Sequence, residues 1–161
     1  MTVPHTIRPV KDEDIAPLAR LWLEGWRDAH LAHIPDELAA YRTLESFRNR
    51  LIGFGDRVRT AGPKGAPVGL CAITGDELDQ LYVGASARGT GLAAALLADG
   101  EARLAENGVG RAHLLCLPEN QRAARFYEKH GWTTPGPTMQ TLFTEDGPYP
   151  LRLFRFEKSL L

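Results

Sequence analysis

At 161 residues, 43% of them hydrophobic and 24% charged, the chain is long enough to bury a real core, and one domain over 1–161 is expected. A net charge of −1 gives no general field for nucleic acid or an anionic membrane, and no apolar run reaches the ~18 residues of a membrane span. Met1 to His5 lack the basic and apolar regions of a leader, and Cys71 and Cys116 sit in apolar strand-like runs as buried free thiols, so a cytoplasmic protein is expected.

Residues 6–10 read as a first strand. A helix follows in which Ile15, Leu18, Ala19, Trp22, Trp26 and Ala29 keep helical spacing. Asp12 and Asp14 both offer a cap, and Pro17, best placed in a first turn, favours Asp14. Leu38, Tyr41, Leu44, Phe47 and Leu51 form the stripe of a second helix ended by Gly53 and Gly55. Strand-like pieces at 57–60 and 68–74 flank Gly62-Pro63-Lys64-Gly65 as an antiparallel hairpin, and Gly75-Asp76 turns the chain into a strand at 77–83. A helix over 91–106 with its C-terminal cap at Asn107-Gly108, a strand at 111–117 and a helix from Asn120 to Lys129 or His130 come next. The tail offers strands at 140–143 and 151–156 around Gly147-Pro148. A meander of strands followed by alternating elements predicts a mixed α/β sheet, not a doubly wound parallel one.

Arg88-Gly89-Thr90-Gly91-Leu92-Ala93 follows the strand at 77–83 and opens a helix. The first N–H groups of a helix lack internal partners and carry its partial positive charge, so a phosphate or pyrophosphate suits this place. A dinucleotide fold would put its glycines after an early strand, and a Walker loop would end in Gly-Lys-Ser/Thr; neither fits here.

The second signal is the run from Pro118 to Trp132. Together the two resemble the GNAT superfamily of acyl-coenzyme A-dependent N-acetyltransferases. The family's phosphate signature, Gln/Arg-x-x-Gly-x-Gly/Ala, is matched by Arg88, Gly91 and Ala93. Its second signature is matched by Asn120, Ala123, Phe126, Tyr127, Gly131 and Trp132. The likeness is specific over 77–132 and looser elsewhere. One departure is the Ala85-Ser86-Ala87 that replaces the usual proline before the turn.

The resemblance implies a GNAT-like α/β (α+β) fold: a mostly antiparallel mixed sheet flanked by helices and splayed between the strands ending near Val83 and Leu117. Acetyl-CoA would lie in the gap, its pantetheine on the main chain of Leu81, Tyr82 and Val83 and its pyrophosphate on the amides of Arg88, Gly89, Thr90, Gly91, Leu92 and Ala93. Asn120 would hold the cofactor through its amide, alongside Ala123 and Phe126, and Tyr127 would be the general acid at the sulfur. Aminolysis also needs a base, because an amine of pKa ~10.4 is neutral in only about one molecule per 10³ at pH 7. Strand alternation puts Glu77, Asp79, Leu81 and Val83 on one face. Glu77 lies where several family members carry a glutamate that draws the amine's proton through water, with Asp79 the alternative. A backbone N–H near the bulged end of the 81–83 segment would face the developing oxyanion.

The implied reaction is direct acetyl transfer to a primary amine in a ternary complex, with Cys116 the one candidate nucleophile for a covalent route. The alternative is a non-catalytic acyl-CoA sensor, and a longer acyl chain or an O-nucleophile stays open. The acceptor, a small molecule or peptide amine, would be chosen by residues 24–60 and 133–150, with Trp26, Asp28 or His30 facing it. His30 and His33 have helical spacing but no third ligand nearby, so exposed histidines are expected and no metal. No nucleic-acid or membrane partner is expected, and a homodimer through the tail strands is left open.

Overall fold

In the computed structural model, which describes residues 5–144 and 146–161, one helix begins the core: α1 (Asp12–His30) follows the short strand β1 (Ile7–Pro9) and lays Leu18, Ala19, Trp22, Leu23 and Trp26 on the sheet. The leader reading over Met1 to Pro4 lies outside the described residues. The helix starts earlier than Asp14. Lys11 is the N-cap, and Asp14, in the first turn, accepts the Lys11 N–H at 2.8 Å. Asp14 also takes both arms of Arg8, at 2.7 and 3.0 Å, and the Gly65 N–H at 2.9 Å. Those long-range bonds outweigh a cap placed by Pro17, which sits inside the helix.

The expected second helix is two: α2 (Asp36–Ala39) and α3 (Leu44–Phe54). Thr43 and Ser46 form a reciprocal cap, Ser46 N–H to Thr43 Oγ1 at 3.1 Å and Thr43 N–H to Ser46 Oγ at 2.9 Å, which interrupts the stripe. Leu38, Phe47 and Leu51 are buried as expected, whereas Leu44 is exposed.

The remaining elements are β2 (Val58–Ala61), β3 (Gly69–Thr74), β4 (Glu77–Val83), α4 (Leu92–Glu106), β5 (Arg111–Cys116), α5 (Gln121–Lys129), β6 (Pro137–Thr144) and β7 (Gly147–Ser159). Seven strands form one sheet in the order β1-β2-β3-β4-β5-β7-β6. Every neighbouring pair is antiparallel except β4 and β5, which α4 connects as a crossover. Both tail strands run longer than the expected 140–143 and 151–156 because β6 pairs along its whole length with the first part of β7, whose last part pairs with β5.

The sheet separates two cores. Trp22, Trp26, Phe47, Leu51 and Leu70 pack under α1 and α3. Leu92, Leu96, Leu97, Leu104, Leu114, Trp132 and Phe156 pack on the α4 side. Close approach of α4 depends on Gly100, where a Cβ would stand 2.8 Å from both Cys71 Sγ and Leu78 Cδ1. Both cysteines are free and buried. Among the described residues no helix is long and apolar enough to cross a membrane.

Candidate active site

β4 and β5 meet at one register pair, Glu77 opposite His113, and then separate. The splay expected between Val83 and Leu117 is therefore present. A cleft of about 490 Å³ opens from it, with walls from α1, α2, α3, β4, β5, α5 and the β6–β7 hairpin. Unpaired strand edges leave main-chain donors and acceptors of β4 and β5 facing this space.

The acids of β4 correct the expected alternation. Ile73 pairs with Leu78 and Ala72 with Gln80, so Asp79 is the extra residue of a bulge. Leu78, Leu81 and Val83 all belong to the α4-side core, while Tyr82 packs under α1 and α3. Glu77 and Asp79, which flank Leu78, thus share the Tyr82 face and not that of Leu81 and Val83. The bulge also lies ahead of 81–83 and not at that segment's end. Both acids line the cleft, but differently. Asp79 is bound by Thr74 Oγ1 at 2.7 Å and Gln80 Nε2 at 3.2 Å. Glu77 is raised from its ordinary range to about 7 by burial, with help from Asp79 and Asp76 and against the pull of Arg155 and Arg50.

Across the gap stands Tyr127 on α5. Its ring packs against Phe126, Phe156 and Trp132 with centroids at 5.4, 5.9 and 6.4 Å. It lines the cleft, burial pushes its hydroxyl above the ordinary phenol value, and among the described residues that hydroxyl makes no hydrogen bond. Asn120 caps α5, its Oδ1 accepting the Ala123 N–H at 3.2 Å, which leaves its amide NH₂ for the cleft it lines. Cys116 also lines the cleft, and burial pushes its thiol up to about 12.

The cleft gathers Glu77, Asp79, Leu81, Tyr82, Asn120, Ala123, Tyr127, Trp26 and His30. Val83, Phe126, Asp28 and the whole run from Arg88 to Ala93 lie outside its lining. Val83 and Phe126 pack on the α4-side core, and Leu92 is buried in it, so only its main chain can meet a ligand. The turn itself is a glycine cradle: Gly89 has φ 76° and Gly91 φ 87°, values that favour glycine, a Cβ at Gly89 would meet nothing within 4 Å, and His5 Nε2 lies 3.1 Å from the Thr90 carbonyl. The N-terminal bond of α4 runs from Ala95 N–H to the Gly91 carbonyl at 3.1 Å, so the amides ahead of it point out of the helix end. Ala85–Ala87, where the family has proline, closes into a 3-10 turn. Exposed Asp28 lies 3.8 Å from Arg88 and links α1 to the cradle instead of facing the cleft.

His30 is half-buried, not exposed as expected: Gly25, where a Cβ would come within 2.8 Å of Tyr82 Cδ1, lets Tyr82 press on α1, and its hydroxyl lies 3.1 Å from His30 Nε2. Burial and the neighbouring His33 lower His30 to about 4, so it is neutral at pH 7. His33 is exposed as read. Among the cleft residues that escaped the sequence reading are His113, Arg155 and two further arginines, Arg42 before α3 and Arg50 on it. The last two fall within the 24–60 stretch assigned to the acceptor, but an arginine on a helix carries no sequence mark of a cavity.

A sequence profile described as Acetyltransferase (GNAT) family matches residues 13–132. Comparison with curated proteins gave no match. A GCN5-related N-acetyltransferase from Rhodopseudomonas palustris superposes with a TM-score of 0.75 at 22% identity, over 99% of this chain and 98% of that one. The yncA structure from Salmonella typhimurium, solved with acetyl-CoA as its cofactor, gives 0.72 at 18% identity over 99% and 95% of the two chains. The paia N-acetyltransferase from Thermoplasma acidophilum, in complex with coenzyme A, gives 0.69 at 19% identity over 98% and 99%.

Proposed function

The chain belongs to the acetyltransferase (GNAT) family, and from that premise we propose that it transfers an acetyl group from acetyl-CoA to a primary amine by direct attack in a ternary complex. The observation that carries this reading is that Glu77 of β4 and Tyr127 of α5 line the same cleft, which opens between β4 and β5.

The residues present fit the cofactor. Gly89 and Gly91 put no side chain of their own at the mouth of α4, its unpaired amides suit a diphosphate, and the bare edges of β4 and β5 suit the amides of a pantetheine arm. Acetyl-CoA would supply an activated thioester carbonyl. Leu81, Tyr82 and Val83 would hold the arm through main-chain groups, Asn120 through its free amide NH₂, and Ala123 and Phe126 would flank it.

Glu77, raised to about 7, takes a proton through water from the acceptor's ammonium near neutral pH, where it is both partly ionised and basic enough to be useful, and the neutral amine so formed attacks the thioester carbonyl. Tyr127 keeps its proton at that pH and would donate it from an otherwise unbonded hydroxyl to the CoA thiolate released as the C–S bond breaks. Cys116, held up at about 12, has no thiolate to offer, which favours direct attack over an acyl-enzyme. Trp26 and His30 would form part of the acceptor wall.

Calorimetry with acetyl-CoA, followed by an assay of free CoA release over an amine panel, tests this. Heat of binding together with acceptor-dependent CoA release is expected, and absence of acetyl-CoA binding at low salt overturns the reading.

A further inference from the structure

Arg42 and Arg50 have no part in the proton transfers above, yet both line the main cleft and both also line a second cavity of about 290 Å³ beside Phe143 and Thr144 of β6. The other half-buried arginines among the described residues have acceptors: Arg8 has Asp14, Arg57 has Thr74 and the Gly53 carbonyl, Arg59 and Arg103 have Asp99, and Arg155 has Glu157. Among the described residues, Arg42 and Arg50 make no hydrogen bond or ion pair. Arg50 rests on aromatic faces, 4.5 Å from the Trp22 centroid and 5.9 Å from that of Phe47. Burial lowers both guanidiniums, Arg50 to about 10, and the charge of Arg42 lowers Arg50 further.

A guanidinium carries five N–H donors, and a partly desolvated one without an acceptor is costly. Two of them repelling each other at one cavity wall leave a place for an anion. Asp79 and Glu77 act on Arg50 through space without bonding it, and Asp79 is occupied by Thr74 and Gln80. The wall is thus polarised, with acids on β4 and free cations at α3.

We infer that the acceptor is an amine that also carries a carboxylate, gripped by Arg42 and Arg50 while its amino group turns toward Glu77. This rests on the acetyl-transfer reading and names its acceptor class. The planar fork of arginine matches a carboxylate two bonds at a time. A phosphate offers similar oxygens, but its second negative charge would sit in the field of Glu77 and Asp79, so the carboxylate is favoured.

The test measures CoA release with free L-amino acids, their amides, the matching decarboxylated amines and O-phosphoethanolamine, using the wild-type protein, Arg42→Gln and Arg50→Lys. Carboxylated amines are expected to exceed their amides in kcat/KM by about 10- to 100-fold, the range of hydrogen bonds to a charged group. Arg42→Gln should raise KM for the carboxylated amine by a similar factor, leaving KM for the amide and the affinity for acetyl-CoA unchanged. Arg50→Lys, which keeps a cation over Trp22 but loses the fork, should erode the same preference. Amides, decarboxylated amines or O-phosphoethanolamine used as well as the carboxylated amines would overturn the inference and leave the transferase reading intact. Failure to bind acetyl-CoA overturns both.

Discussion

Glu77 and His113 are the one matched pair between β4 and β5, and the site is built outward from them. Below the pair, the His113 N–H donates to the Asp76 carbonyl at 3.0 Å and ties the two strands. Above it they diverge, with β4 held to β3 and β5 to β7 along their outer edges. The acid nominated as base therefore sits at the apex of the opening, where water is scarce and its carboxylate is hard to ionise.

Glu77→Gln tests that position through pH. The ionised carboxylate is the active form, so the wild-type rate should fall as pH drops through about 7, and the variant should lose this limb along with much of its rate near neutrality. The same shift affects folding. Between the ordinary 4.5 and about 7 the folded chain holds a proton that the unfolded chain has released, so Glu77 makes stability fall as pH rises across that window. Thermal melts over pH 4 to 8 should show a smaller decline for Glu77→Gln.

Tyr127→Phe keeps the ring contacts with Phe126, Trp132 and Phe156 and removes only the hydroxyl. A loss of about 10²- to 10⁴-fold in kcat is expected, with unchanged affinity for CoA by calorimetry and little change in Tm. Unchanged turnover would remove the general-acid role and favour an acyl-CoA sensor.

Gly91→Val places a β-branched residue at φ 87°, at a cost of about 1–2 kcal/mol, and puts a side chain over the amides that open α4. The cradle assignment predicts that CoA affinity falls more than tenfold. Dephospho-CoA should lose as much as CoA, because it keeps the diphosphate.

Asp14→Asn should destabilise the fold by about 2–4 kcal/mol, below the figure for a fully buried pair because Arg8 keeps some contact with water. The Arg8 guanidinium holds the Asp14 carboxyl well below the usual carboxylate range, aided by the Lys11 and Gly65 amides. Its stabilising effect is present above the ordinary value of 3.8 and is lost as pH falls below it. Urea denaturation at pH 7 and pH 3 should therefore show the variant and wild type converging in acid.

Much of this molecule was legible in its amino-acid order. The glycine turn at 88–93 with its helix, the run from Asn120 to Trp132, and the aromatic stripe of α1 depend on neighbours within a few turns of chain, and such local patterns survive in a sequence. Thr43 and Ser46 could also have been read as a cap; the longer apolar stripe concealed the break. Three features were decided only by tertiary structure. The bulge at Asp79 exists because β3 and β4 pair with unequal residue counts, and it moved Glu77 and Asp79 to the face of Tyr82. His30 became a half-buried neutral ring because Gly25 admits Tyr82 against α1. Arg42 and Arg50 share a cavity wall because α3 folds back beside the hairpin of β6 and β7, which lies far downstream in the chain. A strand's face, a side chain's hydration and a cation's lack of a partner depend on atoms brought together by packing, and local spacing encodes none of them.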